Sequence, residues 1–443
     1  MLSAFRQTLT EKLADSLSDP LPTGTLRRVW GPSPPPGKAT AVVGMRRAGK
    51  TTYVHQLRRE RIQRGAGPDQ LPYVNFEDER LAGVTAAHLA FLVEEHARRC
   101  PDALDRGTVT WCLDEIQLVP GWESFVRRLL DAGNREVVVT GSSAALLSRE
   151  VATALRGRGW EVPIYPFGFG EALVHLGHSL PERPEFLTAR ERARLERHFS
   201  NWLTVGGFPE AQGLEHASRR QLLRDYVDVA ILRDVVERHR VSNVSGLRWL
   251  VRHLLGNAGA LFSVEKFYAA LKSQGIAIAK DTVHQLLGHL DDCFLVRPVW
   301  MESASERQRM VNLRKVYPVD QGFIPLFDRS GRRNIGHALE TAVLVELERR
   351  RFDVTYVRTP SGHEVDFLAR DGLGGELLVQ VCADISEPAT AQRELRALAE
   401  AGKLYPGASR HLLTLTREDA PAGAPPDVLV QPAYEWLLAP GPT

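Results

Sequence analysis

The stretch Gly44-Met45-Arg46-Arg47-Ala48-Gly49-Lys50-Thr51 fills every fixed position of the pattern G-x-x-x-x-G-K-[ST]. The chemistry of that spacing is capture of a polyphosphate. Glycines let consecutive backbone N–H groups turn inward on phosphate oxygens, and a following helix adds the partial positive charge of its N-terminus. Lys50 would reach the β- and γ-phosphates of ATP, and Thr51 would offer its hydroxyl to Mg2+. The expected nucleotide-binding set is Gly44, Arg46, Arg47, Ala48, Gly49, Lys50, Thr51 and Thr52. A chance glycine turn would not explain the apolar run before this loop and the helical stretch after it.

A second group supplies what hydrolysis needs. Val109–Leu113 reads as a buried strand and ends in Asp114-Glu115. An acidic pair at that place would hold Mg2+ through Asp114 and polarise the attacking water through Glu115. A further strand, Glu136–Thr140, ends in Gly141-Ser142-Ser143, where Ser142 or Ser143 would sense the γ-phosphate; both serines equally suit a helix N-cap. Arg156 and Arg158, in Leu155-Arg156-Gly157-Arg158-Gly159, stand where an arginine would reach a neighbouring subunit's nucleotide, a role that requires a homo-oligomer.

These residues need a scaffold, and the pattern of elements predicts one. The 443 residues suffice for several domains. A short leucine-bearing arm and the run Pro32-Ser33-Pro34-Pro35-Pro36-Gly37 occupy 1–38. Apolar runs then alternate with helical stretches, the order of a parallel sheet covered on both faces; the ATPase core is expected over 39–190. Helix follows helix over 191–315, and strands return over 316–443. Gly246–Gly256, Val264–Gly275 and Lys280–Asp292 read as helices before a strand at Cys293–Val299, a winged-helix order. The fold class is therefore α/β: a five-strand parallel P-loop ATPase core, a helical lid and winged-helix-like middle, and a C-terminal α/β domain.

From Val43 to Glu171 the order of motifs resembles AAA-type ATPases found in bacteria and archaea as ATP-binding proteins with a C-terminal domain of unknown function. The pieces that carry the resemblance are Gly44–Thr52, Tyr73-Val74-Asn75-Phe76-Glu77-Asp78, Leu113-Asp114-Glu115-Ile116-Gln117, Thr140-Gly141-Ser142-Ser143, Leu155-Arg156-Gly157-Arg158 and Tyr165-Pro166-Phe167. It continues through Gly206-Gly207-Phe208-Pro209, Leu232-Arg233-Asp234 and Glu364-Val365-Asp366-Phe367. The resemblance implies an ATPase with a helical lid and a C-terminal module like restriction endonucleases. The order helix, three strands, helix, strand after residue 334 agrees with such a module. Active members converge a helix Glu, a strand Asp and a Glu-x-Lys on metal. Here Glu340 and Asp366 take the acidic places, but Gln380 stands for the second acid and Cys382 for the lysine. Arg393 is the one nearby cation to replace it, so a remnant used for binding is the expectation.

Composition narrows the field. Lys and Arg number 56 against 54 Asp and Glu, a formal charge of +2, which argues against coating nucleic acid by bulk attraction. Local cations at Arg297, Arg307, Arg309, Arg314, Lys315, Arg329, Arg332 and Arg333 suit a wing that touches DNA phosphates. The four cysteines form no C-x-x-C pair, against a disulfide scaffold or zinc module. No run approaches a membrane span of about 20 apolar residues, and no signal peptide opens the chain, so a cytoplasmic site is expected. The resulting reading is a Mg2+-dependent ATPase that binds or remodels DNA, with branched or duplex forms as the candidate substrates. An ATP-gated nuclease and a nucleotide switch acting on a protein partner are its rivals.

Overall fold

The computed structural model describes residues 2–31, 33–141, 155, 157–305, 307–308, 312–328, 334–385, 387–421 and 423–440. The chain divides into two compact units, Met1–Ile164 and Tyr165–Thr443.

In the first unit, five parallel strands stand in the order β2-β3-β4-β1-β5: β1 Ala39–Val43, β2 Tyr73–Asn75, β3 Val109–Asp114, β4 Arg135–Gly141 and β5 Gly159–Pro163. This is the P-loop ATPase fold. The strands read as unbroken apolar runs because both faces are covered; every residue of β1 and β3 is buried. Among the described residues four α-helices connect or flank them: α1 Leu2–Ser18, α2 Lys50–Gln63, α3 Ala86–Arg99 and α4 Trp122–Asp131. The expected N-terminal arm is part of this unit. Leu9 and Leu13 of α1 are fully buried, and the Ser16 carbonyl accepts from Arg58 Nη2 at 2.6 Å.

The second unit begins with helices: α5 Phe169–His175, α6 Ala189–Val205, α7 His216–Val229, α8 Val244–Gly256, α9 Val264–Ser273 and α10 Lys280–Asp292. A π-helical stretch, Ala230–Glu237, prolongs α7. Ser263 caps α9, its hydroxyl accepting from the Lys266 N–H at 3.2 Å. The strands are β6 Leu261–Phe262, β7 Val296–Met301, β8 Arg314–Pro318, β9 Asp353–Arg358, β10 Glu364–Arg370, β11 Glu376–Cys382, β12 Ser409–Thr414 and β13 Val428–Pro432. All eight form one mixed sheet, β13-β12-β11-β10-β9-β7-β8-β6. Helices α11 Ile335–Arg349, α12 Pro388–Leu404 and α13 Ala433–Leu438, with the one-turn helix Ile324–Phe327, are the other α-helices among the described residues of this unit.

That sheet shifts the domain boundaries expected from sequence. The break at 190 falls inside α6, and the break at 315 inside β8. The reason is pairing: β8 bonds to β6 and β7, and β7 runs parallel to β9, so strands from the middle and the C-terminal segments share one ladder.

Several motif residues after the first unit meet in the core of the second. Arg349 donates from Nη2 to the Pro166 carbonyl at 2.6 Å and from Nε to Glu346 at 3.0 Å, with Glu171 at 3.3 Å from Nη1. The Phe167 N–H donates to the Gly207 carbonyl at 2.6 Å, and Asp320 accepts from the Gly207 N–H at 2.6 Å. A Cβ on Gly207 would lie 2.2 Å from the Phe167 carbonyl oxygen, so no side chain fits there. Gly207→Ala is therefore expected to destabilise the second unit by about 3 kcal/mol or more. Gly372→Ala, where a Cβ meets nothing within 4 Å, should be nearly neutral; thermal unfolding of both variants checks the contrast.

Candidate nucleotide site

The phosphate loop leaves β1 at Gly44 and enters α2 at Lys50. Gly44 has φ +146°, and a Cβ on it would lie 2.2 Å from the Ile164 carbonyl, so the turn out of the sheet requires glycine. Lys50 is 5% exposed. Its ammonium donates to the carbonyls of Gly44 at 3.1 Å and Met45 at 3.3 Å, and lies 3.8 Å from Glu115. Arg46 pairs with Glu77 at 3.0 Å. Two non-glycine residues here hold left-handed backbone, Arg47 at φ 64° and Glu115 at φ 53°. Such strain persists where surrounding structure over-determines it, as at functional sites.

Asp114 is the centre of the arrangement. It is fully buried at the tip of β3. Thr51 Oγ1 and Tyr73 OH each donate to its Oδ2 at 2.8 Å, and the Thr140 hydroxyl donates to its Oδ1. The Glu115 N–H in turn donates to Thr140 Oγ1 at 2.9 Å. Strand order explains the convergence: β2 and β4 flank β3, so Tyr73 and Thr140 reach the same carboxylate from either side. Burial pushes the Asp114 carboxyl above the usual carboxylate range, against the hydroxyls that stabilise its charge. Burial also raises the Tyr73 phenol, as does the adjacent Asp114 charge.

The donor set suits Mg2+. Thr51 and Asp114 bring hard oxygens together at the N-terminus of α2, next to the phosphate loop, as a hard cation shared with phosphates demands.

Sequence reasoning missed three members of this site. Tyr73 opens the three-residue strand β2 and carries no signal of its own, whereas Thr140 near the C-terminal end of β4 is marked only as a polar residue after an apolar run. Arg27 gives none: it is 5% exposed and donates from Nη1 to the Ala48 carbonyl at 2.5 Å, while its backbone exchanges hydrogen bonds with the Gln56 amide. Ser142, Ser143 and Arg156 lie outside the described residues. Arg158 is described, half exposed and paired with Asp131 of its own chain.

In the second unit, Glu340, Asp366 and Gln380 do come together, but with a different cation from Arg393. Arg393 pairs with Glu394 at 2.6 Å, and Glu394 also accepts from Gln380 Nε2 at 2.7 Å. The lysine arrives from β8. Lys315 Nζ lies 3.1 Å from Glu340, 2.8 Å from Glu364 and 2.9 Å from Asp366. Burial opposes its charge, but Asp366 and the neighbouring acids outweigh this and raise its pKa. Burial and the Asp366 charge push the Glu340 carboxyl up to about 7. Gln380 Oε1 accepts from the Asp366 N–H at 3.2 Å. Among the described residues no three His, Cys, Asp or Glu side chains form a group able to hold a metal ion.

The same geometry corrects the basic wing. Lys315 is spent on this cluster, and Arg297 on Glu348 at 2.9 Å and Asp291 at 2.8 Å. Arg314 lies over the Trp300 ring at 3.9 Å. Arg307 is exposed; Arg309, Arg329, Arg332 and Arg333 lie outside the described residues. Pairing wins because a buried cation beside carboxylates cannot remain available to solvent phosphates.

Removing Lys315 should expose the cost of the cluster. Glu340's raised pKa means that its contribution to stability is present below the ordinary glutamate range and lost as pH rises through about 7. Lys315→Met is thus expected to cost about 3–5 kcal/mol at pH above 7, and less at acid pH where Glu340 is neutral. Thermal unfolding of the variant against wild type across this range tests the sign.

Comparison with known proteins agrees with the geometry of the first unit. The AAA domain family (AAA_14) matches residues 36–173, and a domain of unknown function (DUF8612) matches residues 196–329. The chain is 32% identical over 376 residues to the uncharacterized protein MJ1544 of Methanocaldococcus jannaschii, covering 83% of this chain and 79% of the relative. An uncharacterized Haemophilus influenzae protein is 29% identical over 352 residues, 78% of this chain and 82% of its own. Among solved structures, the Walker-type ATPase PABY2304 of Pyrococcus abyssi aligns at TM-score 0.38 and 13% identity, over 73% of this chain and 95% of that one. That likeness is too distant to bear on function. The identity and coverage shared with MJ1544 show that the chain belongs to that protein's family, and its residues 36–173 carry an AAA-type P-loop ATPase domain.

Proposed function

We propose that the protein is a Mg2+-dependent ATPase that couples ATP binding and hydrolysis to binding or remodelling DNA. The observation that carries this reading is the meeting of Lys50, Thr51, Asp114 and Glu115 at one end of the parallel sheet. Lys50 exchanges its carbonyl partners for β- and γ-phosphate oxygens, and the loop N–H groups hold the rest of the polyphosphate. Thr51 and Asp114 would hold Mg2+, which would supply positive charge against the phosphates. Glu115, fixed by its backbone bond to Thr140, orients and polarises the attacking water. Ser142 or Ser143 would report on the γ-phosphate, and Arg156 or Arg158 would act across a subunit interface of a homo-oligomer.

The DNA part of the reading is supported by element order. Over residues 244–318 the chain runs helix, short strand, two helices, two strands, with β6, β8 and β7 adjacent, as in a winged helix. Over residues 335–414 it runs helix, three strands, helix, strand, the order of a restriction-endonuclease-like core. A second reading, ATP-gated DNA cleavage, is favoured by one observation: Lys315 restores a lysine beside Glu340 and Asp366 that β11 lacks. Nicking of supercoiled DNA with Mg2+ or Mn2+, lost in Asp366→Ala, would support it.

Glu115→Gln should retain ATP binding and lose turnover by at least about 100-fold, while Lys50→Ala should lose both. Nucleotide titration and phosphate release measure the two effects, and unchanged turnover in both variants would contradict the assignment.

A further inference from the structure

A large hollow in the second unit lies among its helices, beside β6 and the start of β8. It is an open groove of about 1240 Å3 between α7, α8 and α9. That exceeds the roughly 300–1,000 Å3 of small-molecule pockets. Its lining is cationic. Arg220 and Arg224 come from α7, Arg248 and Arg252 from α8, and Lys266 from α9, against the acids Asp228 and Asp328. Both arginine pairs are spaced i, i+4, so each forms a rail with steps of about 6 Å along its helix. Little of this charge is spent internally. Arg248 lies 3.4 Å from Asp228 and Arg220 donates to the Pro325 carbonyl at 3.4 Å, both long contacts. Arg224 and Lys266 have no acidic partner among the described residues, and Arg252 lies over the Trp249 ring at 5.9 Å. Trp249 itself lines the groove with 40% of its surface exposed.

Cations in two regular rows, held internally by no more than one ion pair and one carbonyl contact, both 3.4 Å long, call for a polymer of regularly spaced anions, and an exposed indole beside them calls for a flat ring to stack on. We infer that this groove is a binding channel for single-stranded DNA, its arginines on the phosphates and Trp249 against a base. Single strands are held by positive grooves with aromatic platforms, whereas duplex DNA is read by elements that protrude into its own grooves. A hollow lined by cations therefore fits the strand and not the duplex. The inference deepens the DNA-directed reading and rests on it.

The test is fluorescence anisotropy of a labelled oligothymidylate of about 20 nucleotides with the full chain, against a duplex of equal length. The double variant Arg224→Glu/Arg252→Glu should bind at least about tenfold more weakly. The slope of log affinity against log salt should fall by about 1.4, the loss of two phosphate contacts on a single strand. Trp249→Ala should weaken binding about fivefold or more. Arg194→Glu/Arg197→Glu, an equal charge change on exposed α6 positions, should bind like wild type, and thermal unfolding confirms that each variant is folded. Equal loss in both double variants, wild-type binding by Arg224→Glu/Arg252→Glu, or preference for duplex would overturn the channel while leaving DNA binding intact. Absence of binding to either DNA by wild type, with or without ATP, would overturn the DNA-directed reading as well.

Discussion

The Asp114 carboxylate is the constraint on which the first unit depends. It is fully buried, so it requires donors, and it finds them on three different elements: Thr51 at the start of α2, Tyr73 on β2 and Thr140 on β4. A buried acid without partners would cost several kcal/mol. The same bonds that avoid this cost fix the register of the strand tips and the position of the phosphate loop. Through Thr140 they also fix the backbone of Glu115, the residue proposed to orient the attacking water. In that proposal, structural support and catalytic alignment are one network. The hydroxyl of Thr51 is the member that would be shared with the ion when nucleotide binds.

The second unit is organised by a different electrostatic solution. Its sheet joins strands from the middle and the end of the chain, and the join is marked by Lys315 among three carboxylates. Burying that many ionisable groups is tolerable because Lys315 offsets part of the carboxylate charge and the Glu340 carboxyl is pushed up to about 7. A second buried centre, Arg349 with Glu171, Glu346 and the Pro166 carbonyl, ties residues far apart in sequence. Motifs such as Pro166-Phe167 and Gly206-Gly207 therefore have a packing explanation that needs no ligand.

How much of this was legible in the sequence follows from the range of the interactions. The phosphate loop, Asp114 and Glu115 were legible because local spacing alone encodes them. The five parallel strands were legible because burial on both faces writes continuous apolar runs. By contrast β6 has two residues, too few for any period, and β13 follows a loop without a pattern of its own. Lys315 was read as a solvent-facing cation because its partners lie 25 to 51 residues away on other elements. Arg27 was read only as part of the N-terminal arm and linker for the same reason. The groove gathers cations from 220 to 266, and only the packing of three helices makes them neighbours. Charge counted along the chain placed the basic surface on the wing; charge counted in space places it on α7 to α9.

Steady-state phosphate release from ATP with Mg2+, without nucleic acid and then with single-stranded or duplex DNA, tests the central claim most directly. Lys50→Ala provides the blank. The account predicts turnover above that blank, dependent on Mg2+ and raised by single-stranded DNA. Release no greater than the Lys50→Ala blank under all of these conditions would contradict it.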